Sequence, residues 1–140
     1  MIDDIITGIA QSIARYFSDC EIHIDKLPQG FQEPCFFIRP LSCTQKQIIG
    51  ERYCRTHGFN IRYYPKSRNP AKELNAAADI LCWALEYITL SNGEIRGTDM
   101  HYEFHDEVLH FFVNYDVFVF KKRDRGPFMR YLKQVQKIKG

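Results

Sequence analysis

Residues 109–125 read LHFFVNYDVFVFKKRDR. Taken with a strand's period of two, one face carries Leu109, Phe111, Val113, Tyr115, Val117 and Val119. That is the composition of a buried face. The other face carries His110, Phe112, Asn114, Asp116, Phe118 and Phe120. It is half polar and half phenylalanine, and a run of cations follows it. The stretch predicts a strand with one core face and leaves open what covers the other.

Upstream, EIRGTDMHYEF (94–104) reads as one strand or two short ones, with His105-Asp106-Glu107 as the turn that pairs it back onto the 109–120 strand. Before it, SRNPAKELNAAADILCWALEYITLSNG (67–93) reads as a helix. Asn69 can cap it, and Pro70 suits the first helical position. Leu74, Ala77, Ala78, Leu81, Leu85 and Ile88 form its apolar stripe, and Asn92-Gly93 supplies a left-handed stop. Ile80, Trp83 and Tyr87 widen the apolar surface, so a second flank is expected to meet another body.

Toward the N-terminus, FNIRYYP (59–65) and CFFIRPL (35–41) read as strands. Pro40 argues for an edge or a bulge. The polar stretch between them is expected to be a partly exposed hairpin arm or a mobile loop, with Thr44 to Gly58 reaching a neighbour. CEIHID (20–25) is a short strand and KLPQGFQEP (26–34) a loop. Ile2, Ile5, Ile6, Ile9, Ile13, Tyr16 and Phe17 share one face of a first helix that should stop near Ser18 and Asp19. Asp3 and Asp4 favour the positive end of its dipole, and Gly8 weakens it locally. At the C-terminus, Phe128, Tyr131, Leu132, Val135 and Ile138 recur at helical spacing among cations. This segment, 127–140, reads as a basic amphipathic helix or an arm that follows one domain spanning 1–126. The order of elements predicts an α+β fold, a mostly antiparallel sheet flanked by two main helices.

A chain of 140 residues can bury a core without staples. Eleven Phe and eight Tyr make it rich in the residues that dominate cores and interfaces. The net charge of +2 is uneven: residues 121–140 hold eight Lys or Arg against one acid, which leaves the first 120 residues at −5. A basic end on an acidic body suits nucleic acid, a membrane surface or the acidic body of another copy. The five cysteines are odd in number and lack a C-x-x-C pair, so reduced thiols in a cytoplasmic setting are expected. The start, MIDDII, has no basic n-region and no apolar run reaches membrane length, so neither a signal peptide nor a membrane partner is expected.

Chemistry finds little support. His101, His105 and His110 are spaced four and five apart; the first pair would share a face on a helix, but four residues of strand span about 13 Å, too far for one ion. Glu103, Asp106 and Glu107 read as turn residues rather than an acid and base pair. Cys54 near His57 lacks an orienting third group and an oxyanion element. No phosphate-cradling glycine motif is present. The expectation is a protein with no catalytic residues, no metal and no cofactor. A rival reading is a small nucleic-acid-binding accessory protein that uses residues 121–139, with Phe128 or Tyr131 stacking on bases.

Two stretches carry a likeness. In GERYCRTHGFNIRYYP (50–65) it rests on Arg52-Tyr53, Arg55, Phe59-Asn60-Ile61 and Tyr63-Tyr64-Pro65. In residues 95–119 it rests on Arg96-Gly97, Met100, Leu109-His110-Phe111 and Tyr115, and the FMRYLKQ segment fits through Met129 and Leu132. On these residues the chain resembles the small tail terminator proteins of tailed phages, in the branch found with contractile tails of Gram-positive hosts and phage-derived bacteriocins. The resemblance implies a structural protein of the virion or tail particle, assembled in the host cytoplasm. It implies a ring, hexameric in relatives, that caps the tail tube and meets tube, sheath and neck or connector proteins. DNA would be met only in passing through the lumen. Where relatives read Asp-Gly before the VLHF strand, this chain has Asp106-Glu107, which argues against a tight type I′ turn. The implied answer to the opening question is a neighbouring copy covering Phe112, Phe118 and Phe120. Lys121, Lys122 and Arg123 would reach an acidic surface, with Phe128, Met129 and Leu132 in the same contact. The alternative is cover from a hairpin or the C-terminal segment of the same subunit.

Overall fold

The strand that opens the sequence argument is the longest-buried element of the sheet. In the computed structural model, which describes residues 1–121 and 138–139, Val108–Phe120 forms a single strand. Leu109, Phe111, Val113, Tyr115 and Val117 are completely or almost completely buried, and Val119 nearly so. The alternation read from the sequence therefore holds at every position.

The elements in chain order are α1 (Ile2–Tyr16), β1 (Glu21–His23), β2 (Cys35–Ile49), β3 (Arg52–Tyr64), α2 (Ala71–Ala84), β4 (Tyr87–Leu90), β5 (Gly93–His105), β6 (Val108–Phe120) and β7 (Ile138–Lys139). The sheet runs β1-β2-β3-β6-β5-β4, with β7 paired to β6. Only β1 against β2 is parallel; every other described pair is antiparallel. This is the expected α+β fold.

The core lies between this sheet and the two helices. Ile5, Ile9 and Ile13 of α1 and Leu74, Ala78 and Leu81 of α2 meet Phe36, Ile38, Phe59, Ile61, Phe111 and Tyr115 of the sheet. Two glycines set how closely the layers approach. A Cβ on Gly8 would stand 2.9 Å from the Thr89 carbonyl oxygen, so the glycine that weakens α1 also lets the helix lie on β4. A Cβ on Gly97 would stand 2.7 Å from the Leu85 carbonyl oxygen, where the end of α2 sits on β5.

The structure corrects four expectations. First, α2 ends at Ala84, with Leu85 as its C-cap, and Tyr87–Leu90 is a strand. Ile88 fits a helical stripe by spacing, yet Tyr-Ile-Thr-Leu also alternates, and Asn92-Gly93 forms the turn that pairs it with β5. Pro70, not Asn69, is the N-cap, and no side chain caps it. Second, α1 stops at Tyr16, two residues before the expected stop, with Phe17 as its C-cap. Third, Asp106-Glu107 does form a two-residue turn: His105 pairs with Val108, and both central residues have positive φ, 51° and 62°, as type I′ requires. Fourth, Ile138, expected on a basic amphipathic helix or an arm, lies in β7 and pairs with Val119. The rest of that expected helix or arm lies outside the described residues.

The polar stretch 42–58 is a hairpin arm rather than a loop. β2 and β3 pair from Cys35–Tyr64 out to Ile49–Arg52, with a register shift after Pro40. β6 follows β3 along the whole arm, from Leu109–Tyr63 to Phe120–Arg52. Pairing of β5 with β6 ends at Gly97–Tyr115, and β1 ends at His23–Phe37. Beyond those points the sheet narrows to β2, β3 and β6, joined near its end by β7. No helix of the described residues is long and apolar enough to cross a membrane.

Candidate assembly interface

Both helices pack on the sheet face that carries Leu109 to Val119. The opposite face bears no helix among the described residues. Its central rows pair β6 with β3: His110 with Arg62, Phe112 with Asn60, Asn114 with Gly58, Asp116 with Thr56, Phe118 with Cys54 and Phe120 with Arg52. Alternation alone places these side chains outward.

The face is organised by its own cross-strand pairs. The His101 ring stacks on Phe112 with centroids 4.6 Å apart and planes 11° from parallel. The Arg52 guanidinium lies over the Phe120 ring at 5.2 Å, and Arg62 over Phe37 at 5.9 Å, both cation–π contacts. Thr56 donates its hydroxyl to Asp116 Oδ1 at 2.6 Å. Arg62 Nε donates to Asn60 Oδ1 at 3.0 Å, while the buried Asn60 Nδ2 finds no partner among the described residues. Phe112 and Phe120 are therefore half-buried under neighbours of the same chain, whereas Phe118 is 39% exposed. Phe112 stands apart, and Phe118 and Phe120 sit together on the arm. Lys121 anchors the arm's end, its backbone N–H donating to the Glu51 carbonyl oxygen at 2.7 Å. Lys122, Arg123, Phe128, Met129 and Leu132 lie outside the described residues.

The sequence reading passed over the tip of the arm. Ile48 is 49% and Ile49 73% exposed, next to the Gly50-Glu51 turn. Two adjacent isoleucines in an otherwise polar run are the signal that marks them. On α2 and β4, Ile80, Trp83 and Tyr87 form the exposed flank that their spacing predicted; Trp83 is 74% exposed.

The chemical candidates separate in space. Cys54 and His57, three apart on one strand, point to opposite faces and form no pair. His57 faces inward, its Nε2 3.4 Å from Met1 Sδ and 3.9 Å from Cys43 Sγ. Burial, then the Arg55 charge and the N-terminus, lower its pKa. Glu103 lies between His105 (2.7 Å) and His101 (3.8 Å), and the hydrogen bond from His105 pulls its pKa down. The His105 and His110 rings meet edge to face at 5.3 Å. Among the described residues no group of His, Cys, Asp or Glu is arranged to hold a metal ion.

What this arrangement can do is present surfaces: a sheet face with exposed aromatics, an arm with an apolar tip and an exposed tryptophan flank. No curated protein matches the chain. A family model described as phage tail terminator protein matches residues 4–127, and the chain belongs to that family of structural phage tail proteins.

Proposed function

We propose that the protein caps the tail tube as a ring of identical subunits, ends tail polymerisation and joins the tail to neck and sheath proteins. Family membership supports the tail role, and one observation carries the surface: a sheet face that bears no helix among the described residues and on which Phe118 is 39% exposed beside Phe120. A neighbouring subunit covers Phe118, Phe120 and the edge of Phe112. Lys121, Lys122 and Arg123 pair with acids on that neighbour or on the tube, and Phe128, Met129 and Leu132 extend the contact. Burying one Phe is worth about 1.5–3 kcal/mol, so a few such side chains per junction offset the cost of association. A head-to-tail contact that closes leaves no free end for another layer of tube. The ring is hexameric and belongs to a contractile tail.

Deleting the gene in a producing strain and measuring tail lengths by electron microscopy tests the reading. Overlong or broadly distributed tails are expected; tails of normal, uniform length overturn it. Phe118→Asp tests the surface: the monomer should keep its circular dichroism and melting temperature while rings fail to form.

A further inference from the structure

The molecule carries an exposed apolar tip on the arm, a plug, and at the opposite end a cleft, a socket. The cleft, about 410 Å³, lies between the start of α2 and the β5–β6 turn, and Pro70, Ala71, Leu74, Phe104 and Glu107 line it. Leu74 is buried in it, and Phe104 is 44% exposed. The plug is the tip, Ile48 and Ile49. It is held in shape before any partner arrives. Gln47 Nε2 donates to the Gly50 carbonyl oxygen at 2.7 Å, and Lys121 N–H donates to that of Glu51 at 2.7 Å. A preformed turn spends little entropy on docking.

The tip cannot reach the socket of its own chain. The tip lies at the Arg52 end of β3, while Phe104 pairs with Leu109, which pairs with Tyr63 at the other end. Eleven residues of antiparallel strand separate them by about 37 Å, and β3 is paired on both sides throughout, so the arm cannot fold back. Charge agrees with a second copy as the occupant. Arg52 and Glu51 flank the tip and Glu107 lines the cleft, so Arg52 of one copy can face Glu107 of the next.

We infer that the Ile48-Ile49 tip of one subunit seats in the Pro70–Leu74–Phe104 cleft of the next. Such a contact uses two different surfaces and repeats head to tail, the geometry that closes a ring. The inference rests on the ring reading above and names its junction.

The test places the photocrosslinker benzoylphenylalanine at Ile49 in tails assembled with otherwise unaltered protein, followed by peptide mapping. Crosslinks to residues 69–75 or 104–107 of another copy are expected. Ala71→Trp, which fills the cleft from an exposed position, should cut them about tenfold or more. Crosslinks elsewhere on another copy, crosslinks to a different tail protein, or none, overturn the docking. Native mass spectrometry of the complex released from the same tails reads the ring separately. Several copies with crosslinks elsewhere overturn the docking alone; a single copy per tail overturns the ring as well.

Discussion

The buried Tyr115 hydroxyl donates to the Leu85 carbonyl oxygen at 2.7 Å. Tyr115 is on the central strand β6, and Leu85 is the C-cap of α2. One hydrogen bond thus fixes where the helix terminates over the sheet. Burial also raises the Tyr115 pKa, so the phenol stays a donor across the physiological range. Tyr115→Phe leaves the ring packed and strips a buried carbonyl of its partner. The expected cost is about 1–3 kcal/mol, read as a lower urea midpoint with an unchanged slope.

Gly97 meets the same carbonyl. Its missing Cβ would lie 2.7 Å from Leu85 O and 2.9 Å from both Met100 Cε and Val113 Cγ2. Met100 can move, but a backbone carbonyl and a packed valine cannot do so cheaply. Gly97→Ala should cost about 1–3 kcal/mol by thermal melting. Combined with Tyr115→Phe it should depart from additivity, because both changes act on Leu85 O.

Glu73 ties the segment before α2 to the helix. Its carboxylate accepts from Tyr63 Oη at 2.6 Å and from the N–H groups of Lys66 and Ser67, each at 2.9 Å. Burial opposes its ionisation, but these donors outweigh burial and hold its pKa at about 2. A carboxylate depressed in the fold adds stability above its unfolded pKa and loses it as pH falls toward the folded value. Stability should therefore fall between about pH 4.5 and pH 2. In Glu73→Gln that slope should flatten, as measured by urea midpoints across the range.

The Asp106-Glu107 turn holds two non-glycine residues at positive φ. Glu107→Gly removes the side-chain penalty at the second position, where hairpin turns of this kind favour glycine. A gain of about 0.5–1 kcal/mol is expected in the denaturation midpoint. The same change removes one carboxylate from the cleft, so a stabilised protein with weakened Ile49 crosslinking would separate the two roles of this residue.

Much of the fold is legible in residue order, because burial follows period. β6 is the clearest element: six inward positions, Leu109 to Val119, alternate without a break. The first helix is as clear on its Ile5-Ile6-Ile9-Ile13 face. The second helix misleads because Leu81, Leu85 and Ile88 keep helical spacing after the helix has ended. The local alternation of Tyr87–Leu90 competes with that spacing, and the close fit of Gly97 and the Tyr115 hydroxyl around Leu85, both from residues distant in sequence, marks the end. The arm is half legible. Its polar alternation announces a hairpin, but three strands extending together is a property of pairing that no local pattern carries. The exposed face was readable through Phe118, whereas its local cover, His101 on Phe112 and Arg52 on Phe120, depends on register. The cleft was not readable at all, since Leu74 and Phe104 lie on separate elements.

β3 is bonded on both flanks from Arg52 to Tyr63. In an antiparallel ladder those bonds stand perpendicular to the strand. A pull along the strand axis therefore loads them together in shear, instead of opening them one after another as peeling would. The strand acts as a strut. Tension applied at the Ile49 tip passes along the ladder to the layer beneath the helices. In an assembly that bears mechanical load, that makes the arm a stiff tether.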